Sequence, residues 1–284
     1  MSLLRYPGGK TKIKNIILSS FENLNTVLKS NYIEPFFGGG SIGLHLLELG
    51  LSNIWINDRD PSIACLWTSV IKYPEKLIKK IKKYTPTVKS FFKIRKELIE
   101  LENTPEKEND IVDIALKKLA IHQISYSGLG TKSGGPLGGI DQKSIYKVNC
   151  RWSPDLLCRK INKYHALFSD KNIFENSCTN YDFETVIEKS TERCYTYIDP
   201  PYYHKGNDLY QFGFSSFDHL RLSKILKSSK CNWLLSYDDC IEIRNLYDWA
   251  CVTEINVNYT VTGKKDIMGK RLALKKGELI IKRC

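Results

Sequence analysis

The chain has 284 residues, of which 42% are hydrophobic and 26% charged, and its formal net charge is +12. A chain of this length can bury a full core, and this composition is typical of a globular protein rather than a disordered one. It has no apolar run of membrane-spanning length and no signal-peptide layout at its start. We therefore expect a cytoplasmic protein with no membrane partner.

The positive charge is concentrated in two regions. Residues 71–100 hold ten Lys or Arg against three Glu, and the stretch from Tyr259 onward holds eight against two acidic residues. A polyanion such as a nucleic acid is the expected partner, because each phosphate contact releases counterions. The alternative is a set of solvated helix faces, and many of these lysines will be only that.

The nine cysteines are scattered, and none lies in a Cys-x-x-Cys pair. This spacing predicts neither a zinc site nor a disulfide framework, so we expect reduced thiols and no metal.

The first sixty residues predict a β-α-β unit. Apolar residues from Ile13 to Leu28 recur at helical spacing. A short strand near Ile33 then leads into a glycine-rich turn and a helix to about Leu49, followed by a strand over 54–56 that ends at Asn57-Asp58. Glycines let the backbone approach a ligand closely, and the helix that follows presents free N–H groups.

The middle of the chain interrupts this alternation. Residues 62 to about 125 have a helical pattern broken by Pro74, Pro86 and Pro105. Seven of the fifteen residues from Ser125 to Gly139 are Gly or Pro, which predicts a turn-rich loop or hairpin.

Regular elements then resume. We predict a helix over 154–168, strands over 172–174, 195–198, 232–236 and 277–281, and a helix from a capping box at Ser215–Asp218 to about Leu226. The predicted fold class is a Rossmann-like α/β sheet with a mainly helical insertion at 62–160 between two parts, 1–61 and 161–284, of one catalytic domain.

The tetrapeptide Asp199-Pro200-Pro201-Tyr202 follows the strand over 195–198 directly. A carboxylate, two prolines that cannot extend a ladder and an aromatic ring form a rigid polar slot, at the strand end where open α/β sheets bind ligands. An ordinary X-Pro-Pro turn with a packed Tyr is the alternative for these four residues taken alone.

Five motifs in order resemble the Dam-type, D12-class (alpha-group) DNA adenine-N6 methyltransferases. They are Arg5-Tyr6-Pro7-Gly8-Gly9-Lys10, Glu34-Pro35-Phe36-Phe37-Gly38-Gly39-Gly40-Ser41, Asn57-Asp58, Tyr181-Asp182-Phe183 and Asp199-Pro200-Pro201-Tyr202. The resemblance covers nearly the whole chain and implies an S-adenosylmethionine-dependent methyltransferase fold, with the insertion as a target-recognition domain. The Gly-rich stretch 128–139 does not match a recognition hairpin that we can assign, which leaves the target sequence open.

The cofactor-binding residues follow from the resemblance and, for Asp58, also from its position at a strand end, where it can accept both ribose hydroxyls. Asp58 could instead cap the helix that begins near Asp60-Pro61. The resemblance assigns Asp182 to the cofactor's exocyclic amine and Phe183 to its ring, whereas the residues alone favour an N-cap and a core aromatic. The full predicted set is Tyr6, Lys10, Glu34, Phe36, Gly38, Gly40, Asp58, Asp182, Phe183 and Asp199.

The predicted catalytic residues are Asp199, Pro200, Pro201 and Tyr202. The Asp199 carboxylate and the Pro200 carbonyl would accept from the adenine amine and orient its lone pair. Tyr202 would stack on the base, which must leave the duplex to be reached. The segment 203–212 is either a mobile loop over that base or an ordinary connection.

Double-stranded DNA is the predicted partner, with a possible cognate restriction endonuclease, and we expect the protein to act as a monomer. The predicted DNA-contacting residues are Arg5, Lys132, Gln142, Lys143, Lys147 and Arg151. The alternatives are an RNA adenine or DNA cytosine-N4 methyltransferase, a dinucleotide-dependent oxidoreductase and a non-catalytic DNA-binding module.

Overall fold

The computed structural model describes residues 3–4, 10, 13–204, 211–265 and 271–284, with the backbone alone at 256–265 and 271–276. The predicted site residues Arg5 and Tyr6 and the central part of segment 203–212 lie outside these ranges.

The fold is built on a seven-stranded sheet in the order β3-β2-β1-β4-β5-β7-β6. The strands are β1 (Asn31–Glu34), β2 (Asn53–Ile56), β3 (Asn172–Ile173), β4 (Cys194–Ile198), β5 (Asn232–Asp238), β6 (Cys251–Lys265) and β7 (Arg271–Lys282). The first five strands are parallel, and β7 runs antiparallel between β5 and β6. The prediction of a mostly parallel α/β sheet is confirmed, while β6 was not predicted and β7 is longer than predicted.

The helices begin and end largely where the sequence punctuation predicts. They are α1 (Lys14–Ser20), α2 (Leu24–Lys29), α3 (Gly43–Glu48), α4 (Pro61–Lys72), α5 (Pro74–Lys83), α6 (Val88–Ile99), α7 (Glu108–Ile124), α8 (Pro154–Ser169), α9 (Phe183–Glu188), α10 (Ser216–Ser228) and α11 (Ile241–Leu246). Pro61, Pro74 and Pro154 lie in the first turn of their helices, where a missing N–H costs nothing. The predicted capping box is present at the start of α10.

The single helix predicted from Ile13 to Leu28 is wrong in one respect, because the chain forms two helices there. Phe21 has an extended backbone that ends α1, and the Asn23 side chain accepts from the Thr26 N–H to cap α2. The apolar spacing continues through the break because both helices pack on the same core.

Helices within residues 62–160 share a hydrophobic core with the sheet. Apolar side chains of α4, α5, α7 and α8, among them Trp67, Leu77, Val112 and Ile161, share one cluster with the sheet and its first helices. A second cluster joins α6 to residues along the whole length of α7. Helices between residues 62 and 160 therefore contribute to the same core as the sheet.

The Gly-rich stretch forms a closed, turn-rich loop, as predicted. Ser125 bridges Pro136, and Leu137 N–H donates to the Ile124 carbonyl at 2.7 Å. Gly138 has a φ of +83°, and a Cβ there would meet the Tyr146 carbonyl oxygen at 2.1 Å, so this position requires glycine.

The expectation of unpaired thiols does not hold for one pair. Cys251 at the start of β6 and Cys284 just after β7 form a disulfide, with Cα atoms 5.0 Å apart, because the antiparallel β6–β7 pairing brings these positions together. The other seven cysteines are free. Among the residues described, no helix combines the length and apolarity that crossing a membrane requires.

Candidate functional site

Acidic side chains converge at the carboxyl edge of the parallel strands. Glu34 ends β1, Asp58 follows β2, Asp199 follows β4, and Glu278 on antiparallel β7 lies opposite Asp238 at the end of β5. A cavity of about 510 Å³ opens at this edge. Open α/β sheets bind their ligands there.

The cavity brings together most of the predicted site residues. Those that line it are Lys10, Glu34, Phe36, Gly38, Gly40, Asp58, Asp182, Phe183, Asp199 and Pro201. They come from five separate parts of the sequence, which the fold places side by side.

The glycine turn after β1 approaches the cavity with its backbone. Gly38 and Gly40 have positive φ angles of +48° and +67°, and a Cβ on Gly40 would meet the Phe37 ring at 2.7 Å. The Trp67 indole N–H donates to the Gly38 carbonyl at 2.8 Å, which fixes the turn from outside. The turn is thus held in a shape that side chains at 38 and 40 would prevent.

Asp58 is held between two backbone donors. Its carboxylate accepts from Gly38 N–H at 2.7 Å and from Asp60 N–H at 2.9 Å. Desolvation, followed by the neighbouring Asp60 charge, raises the pKa of Asp58 to about 7. The N-cap of α4 is Asp60, which accepts from Ser62 N–H at 2.8 Å, so the capping role considered for Asp58 belongs to its neighbour.

Glu34 is buried, and one of its carboxylate oxygens accepts from the Tyr32 hydroxyl at 2.8 Å and from Gly43 N–H at 2.9 Å. Burial raises the pKa of Glu34 well above its usual value. A Cβ on Gly43 would lie 2.7 Å from that oxygen, so glycine lets the start of α3 reach the carboxylate.

Asp182 and Phe183 occupy the positions that the residues alone predict, and both also line the cavity. Asp182 caps α9 by accepting from Glu184 N–H at 3.0 Å. Phe183 is buried and stacks on Phe36, with ring centroids 5.7 Å apart. The Arg221 guanidinium lies over the Phe183 ring and donates to Asp182 at 2.9 Å. The cavity therefore has an apolar shelf with a carboxylate beside it.

The Asp199 end of the cavity is a network of charged and hydroxyl groups. Lys10 Nζ lies 2.9 Å from an Asp199 oxygen and donates to the Tyr202 hydroxyl at 2.5 Å. Tyr202 in turn donates to Glu278 at 2.6 Å, and Ser236 donates to Asp199 at 3.1 Å. Desolvation raises the pKa of Asp199, and the Lys10 ammonium partly offsets that rise.

The described candidates for DNA contact lie outside the lining of this cavity. Lys132, Lys143, Lys147 and Arg151 are exposed. The Gln142 amide is used within its own loop, donating to the Leu137 carbonyl at 2.9 Å and accepting from Val148 N–H at 2.7 Å. Gln142 therefore braces the loop that carries the exposed cations.

Several residues of the site had no individual role predicted from the sequence, among them Asn57 of the Asn57-Asp58 motif. The buried Asn57 donates to the carbonyls of Pro35 and Tyr181 and accepts from Tyr181 N–H, which joins the glycine turn to the Asp182 segment. Arg221 and Glu278 act across the fold, from α10 and β7. The alternation that marks a strand around Glu278 was visible, but no local signal indicates which partner such a carboxylate meets.

Three potential metal ligands, His204, Cys240 and Glu242, each place one ligand atom within 4.8 Å of the others. His204 Nε2 lies 3.3 Å from a Glu242 oxygen, so the imidazole and the carboxylate already contact each other.

Two comparisons with known proteins bear on this arrangement. Residues 6–262 match the family model described as D12 class N6 adenine-specific DNA methyltransferase. The chain is also 25% identical, over 260 residues that cover 90% of each sequence, to the Type II methyltransferase M.CviBI of Paramecium bursaria Chlorella virus NC1A.

Proposed function

The chain belongs to the D12 class of N6 adenine-specific DNA methyltransferases, and we propose that the cavity at the carboxyl edge of its sheet holds S-adenosylmethionine together with a flipped adenine. Membership of this class sets aside the oxidoreductase, the non-catalytic DNA-binding module and the RNA or cytosine-N4 enzyme. The following roles in cofactor binding, catalysis and DNA contact are proposed for individual residues.

The cavity residues fit the chemical groups of this cofactor. Asp58 accepts hydrogen bonds at a strand end, as a ribose diol requires. The Phe36–Phe183 shelf and the Asp182 carboxylate suit an aromatic ring with an exocyclic amine. Glu34, Gly38 and Gly40 shape the wall between them.

Lys10 is the proposed partner of the methionyl carboxylate, together with Tyr6. An ammonium group has three N–H donors, and Lys10 directs two of them at Asp199 and Tyr202. The third can serve a ligand carboxylate without breaking either contact. S-adenosylmethionine, when bound, supplies an electrophilic methyl group on a positively charged sulfur.

Asp199 and the Pro200 carbonyl are proposed to accept from the N6 amine of the target adenine and to orient its lone pair. An ionised carboxylate is needed for this role. Ser236 and Lys10 both donate to Asp199 and so favour that charged form. Tyr202 is proposed to face the flipped base, with its hydroxyl anchored by Lys10 and Glu278.

We propose residues 62–160 as the target-recognition part, with exposed cations of α5 on phosphates and those of the 132–151 loop on bases. Because the viral relative carries the name of a type II methyltransferase, we propose a site-specific enzyme that acts as a monomer on double-stranded DNA, with or without a cognate endonuclease.

The observation that carries the proposed site is the convergence of Asp58, Asp182 and Asp199 on one cavity. Calorimetry with S-adenosylmethionine tests it directly. Asp58→Ala should weaken binding by about 1.5–3 kcal/mol, the cost of losing hydrogen bonds to a charged group, and should leave DNA affinity unchanged. Unaltered cofactor affinity in this variant would show that Asp58 does not hold the ribose.

Methylation-sensitive sequencing of DNA from cells that express the chain gives the second test. A methylated adenine within one recurring sequence is expected, and Asp199→Asn is the matched negative control. Methyl groups scattered over unrelated sequences would contradict the proposed site specificity.

A further inference from the structure

A buried ion pair connects the helical insertion to the proposed ribose site. Lys118 Nζ on α7 donates to Asp60 Oδ2 at 2.6 Å, and both side chains are buried. Asp60 is the N-cap of α4, and its backbone N–H donates to Asp58. Lys118 is therefore two contacts away from Asp58, although the two residues lie far apart in the sequence.

Nothing in the cap of α4 requires this lysine. Asp60 already accepts from the N–H and the hydroxyl of Ser62, which satisfy the cap. Burying an ammonium group is costly, and replacing such a pair by apolar residues is often neutral or stabilising. The burial of this charge is therefore weak evidence for a role of Lys118 in stability alone.

Asp58 and Asp60 are two carboxylates that share a short turn, and like charges disfavour their joint ionisation. From this arrangement we propose that Lys118 is a positioning residue for cofactor binding, which acts through Asp60 to keep Asp58 charged and available to the ribose. The inference rests on the ribose role proposed above for Asp58.

The charges around Asp58 support this role. Asp60 opposes the ionisation of Asp58, and Lys118 favours it. The other titratable groups in this electrostatic neighbourhood are Glu34 on β1, Cys65 on α4, His122 on α7 and Cys178 before β4. Burial lowers the pKa of His122 to about 3 and raises the pKa of Cys65 to about 12, so both are neutral near pH 7. Lys118 is thus the buried cation that contacts the Asp60 carboxylate, whereas Arg59, between the two aspartates in sequence, is exposed.

The direction of the pH effect follows from the sign of the charges. Asp58 serves as an acceptor when ionised, so cofactor affinity falls as the pH drops through its pKa of about 7. Removing the Lys118 charge raises that pKa, and the loss of affinity moves to higher pH. If the pKa of Asp58 rises from about 7 to about 8, its ionised fraction at pH 7 falls from about one half to about one tenth.

The test is the pH dependence of S-adenosylmethionine affinity for the full chain, measured by calorimetry from about pH 6 to about pH 9, a range that brackets the titration of Asp58. Lys118→Gln, which keeps a donor and removes the charge, should bind about fivefold more weakly than wild type at pH 7 and nearly equally at the alkaline end. Lys118→Arg should restore the wild-type profile. Lys80→Gln is the matched control, because Lys80 forms an ion pair of the same length with Asp113 away from the cavity.

The double variant Lys118→Gln/Asp60→Asn should shift the pH dependence of cofactor affinity in the opposite direction from Lys118→Gln. It provides a second measurement if the single variant does not fold. Asn keeps the cap, and the like charge beside Asp58 has gone, so the loss of affinity should move to lower pH than in wild type. A structural role alone would weaken binding equally at every pH.

Two results overturn the inference. One is a Lys118→Gln profile that is unchanged or lowered uniformly over the whole pH range, and the other is a double-variant profile that does not move. Asp58→Asn separates this failure from that of the proposed site: if Asp58→Asn binds like wild type, the ribose assignment fails first. If Asp58→Asn binds weakly while the Lys118 profile stays unchanged, only the role of Lys118 is wrong.

Discussion

Lys10 and Glu278 meet across the Tyr202 hydroxyl, which accepts from the lysine at 2.5 Å and donates to the glutamate at 2.6 Å. Both charged side chains are buried, and the two carboxylate-to-ammonium distances at this site, 2.9 Å to Asp199 and 3.7 Å to Glu278, place one cation between two anions. Lys10, far from Asp199 in sequence, therefore orients the proposed catalytic carboxylate and favours its ionised form.

Replacing Lys10 should move the pH dependence of catalysis. The Lys10 ammonium lowers the pKa of Asp199, so its loss raises that pKa, and activity that needs ionised Asp199 is lost at higher pH on the acid side. At acidic pH and saturating cofactor, kcat of Lys10→Met should be lower than that of wild type. The expected factor is about ten for each pKa unit by which the pKa of Asp199 rises. The measurement is the pH profile of kcat, with Lys163→Met, which breaks an exposed pair with Glu48, as the control. A profile that matches wild type would contradict this role for Lys10.

Asp199→Asn should remove methyl transfer while the fold survives. The amide keeps the shape of the side chain but is uncharged, and it replaces one acceptor oxygen with an NH₂ donor. The adenine amine then loses its orientation, and we expect kcat to fall by at least about 10²-fold. Unfolding free energy should drop by about 1–3 kcal/mol, because buried Lys10 retains Glu278 as a partner. Single-turnover methylation and urea unfolding measure the two effects. Near-wild-type turnover would contradict the proposed role of Asp199 in orienting the adenine amine.

The two parts of Tyr202 can be tested separately. Tyr202→Phe keeps the ring and removes the bridge between Lys10 and Glu278, so we expect a modest loss of stability, about 1 kcal/mol, and retained turnover. Tyr202→Ala removes the surface proposed to face the flipped base, and KM for DNA should rise as well as kcat fall. If both variants are impaired to the same extent, the hydroxyl and not the ring contributes to turnover.

Position along the sequence predicted the glycine turn, Asp58 and Asp199, because these residues lie at strand ends that the alternation of apolar and polar residues makes visible. Lys118, Arg221 and Glu278 were not found. Each acts through a contact between elements distant in sequence, and a single lysine or glutamate in a helix or strand is most often only solvated. Strand β6 was not predicted either, although residues 255, 257, 259 and 261 are apolar or aromatic with the period of two that a strand requires.

The lysines of α5 should separate into two kinds. Lys79, Lys82 and Lys83 are exposed, whereas Lys80 is half-buried and pairs with Asp113 at 2.6 Å. Replacing the three exposed lysines by Gln should weaken binding to every DNA sequence. The slope of log K against log salt concentration should become shallower by about 0.9 for each phosphate contact that is lost. Lys80→Gln should leave that slope unchanged. DNA titrations at several salt concentrations measure both, and an unchanged slope in the triple variant would exclude α5 from the interface.

The loop around Gln142 should show two distinct effects. Lys132, Lys143 and Arg151 are exposed, so replacing a residue that reads a base should change discrimination between cognate and near-cognate sites by about 1–3 kcal/mol. Gln142 holds the loop together, and Gln142→Ala should instead weaken binding to all sites alike. Competition binding with single-base variants of the methylated site distinguishes the two. If Gln142→Ala changes discrimination at one base only, its amide reads DNA rather than bracing the loop.

The placement of β7 between β5 and β6 has a consequence for the folding of the enzyme. Tyr202 contacts both Lys10 and Glu278, which lie far apart in the sequence, so the proposed catalytic network is complete only when β7 has joined the sheet. Contacts of such long sequence separation form late and slowly, because the loop between them must be closed first. A folding intermediate in which β7 has not yet joined the sheet therefore lacks the complete network, and we expect it to be inactive in methyl transfer.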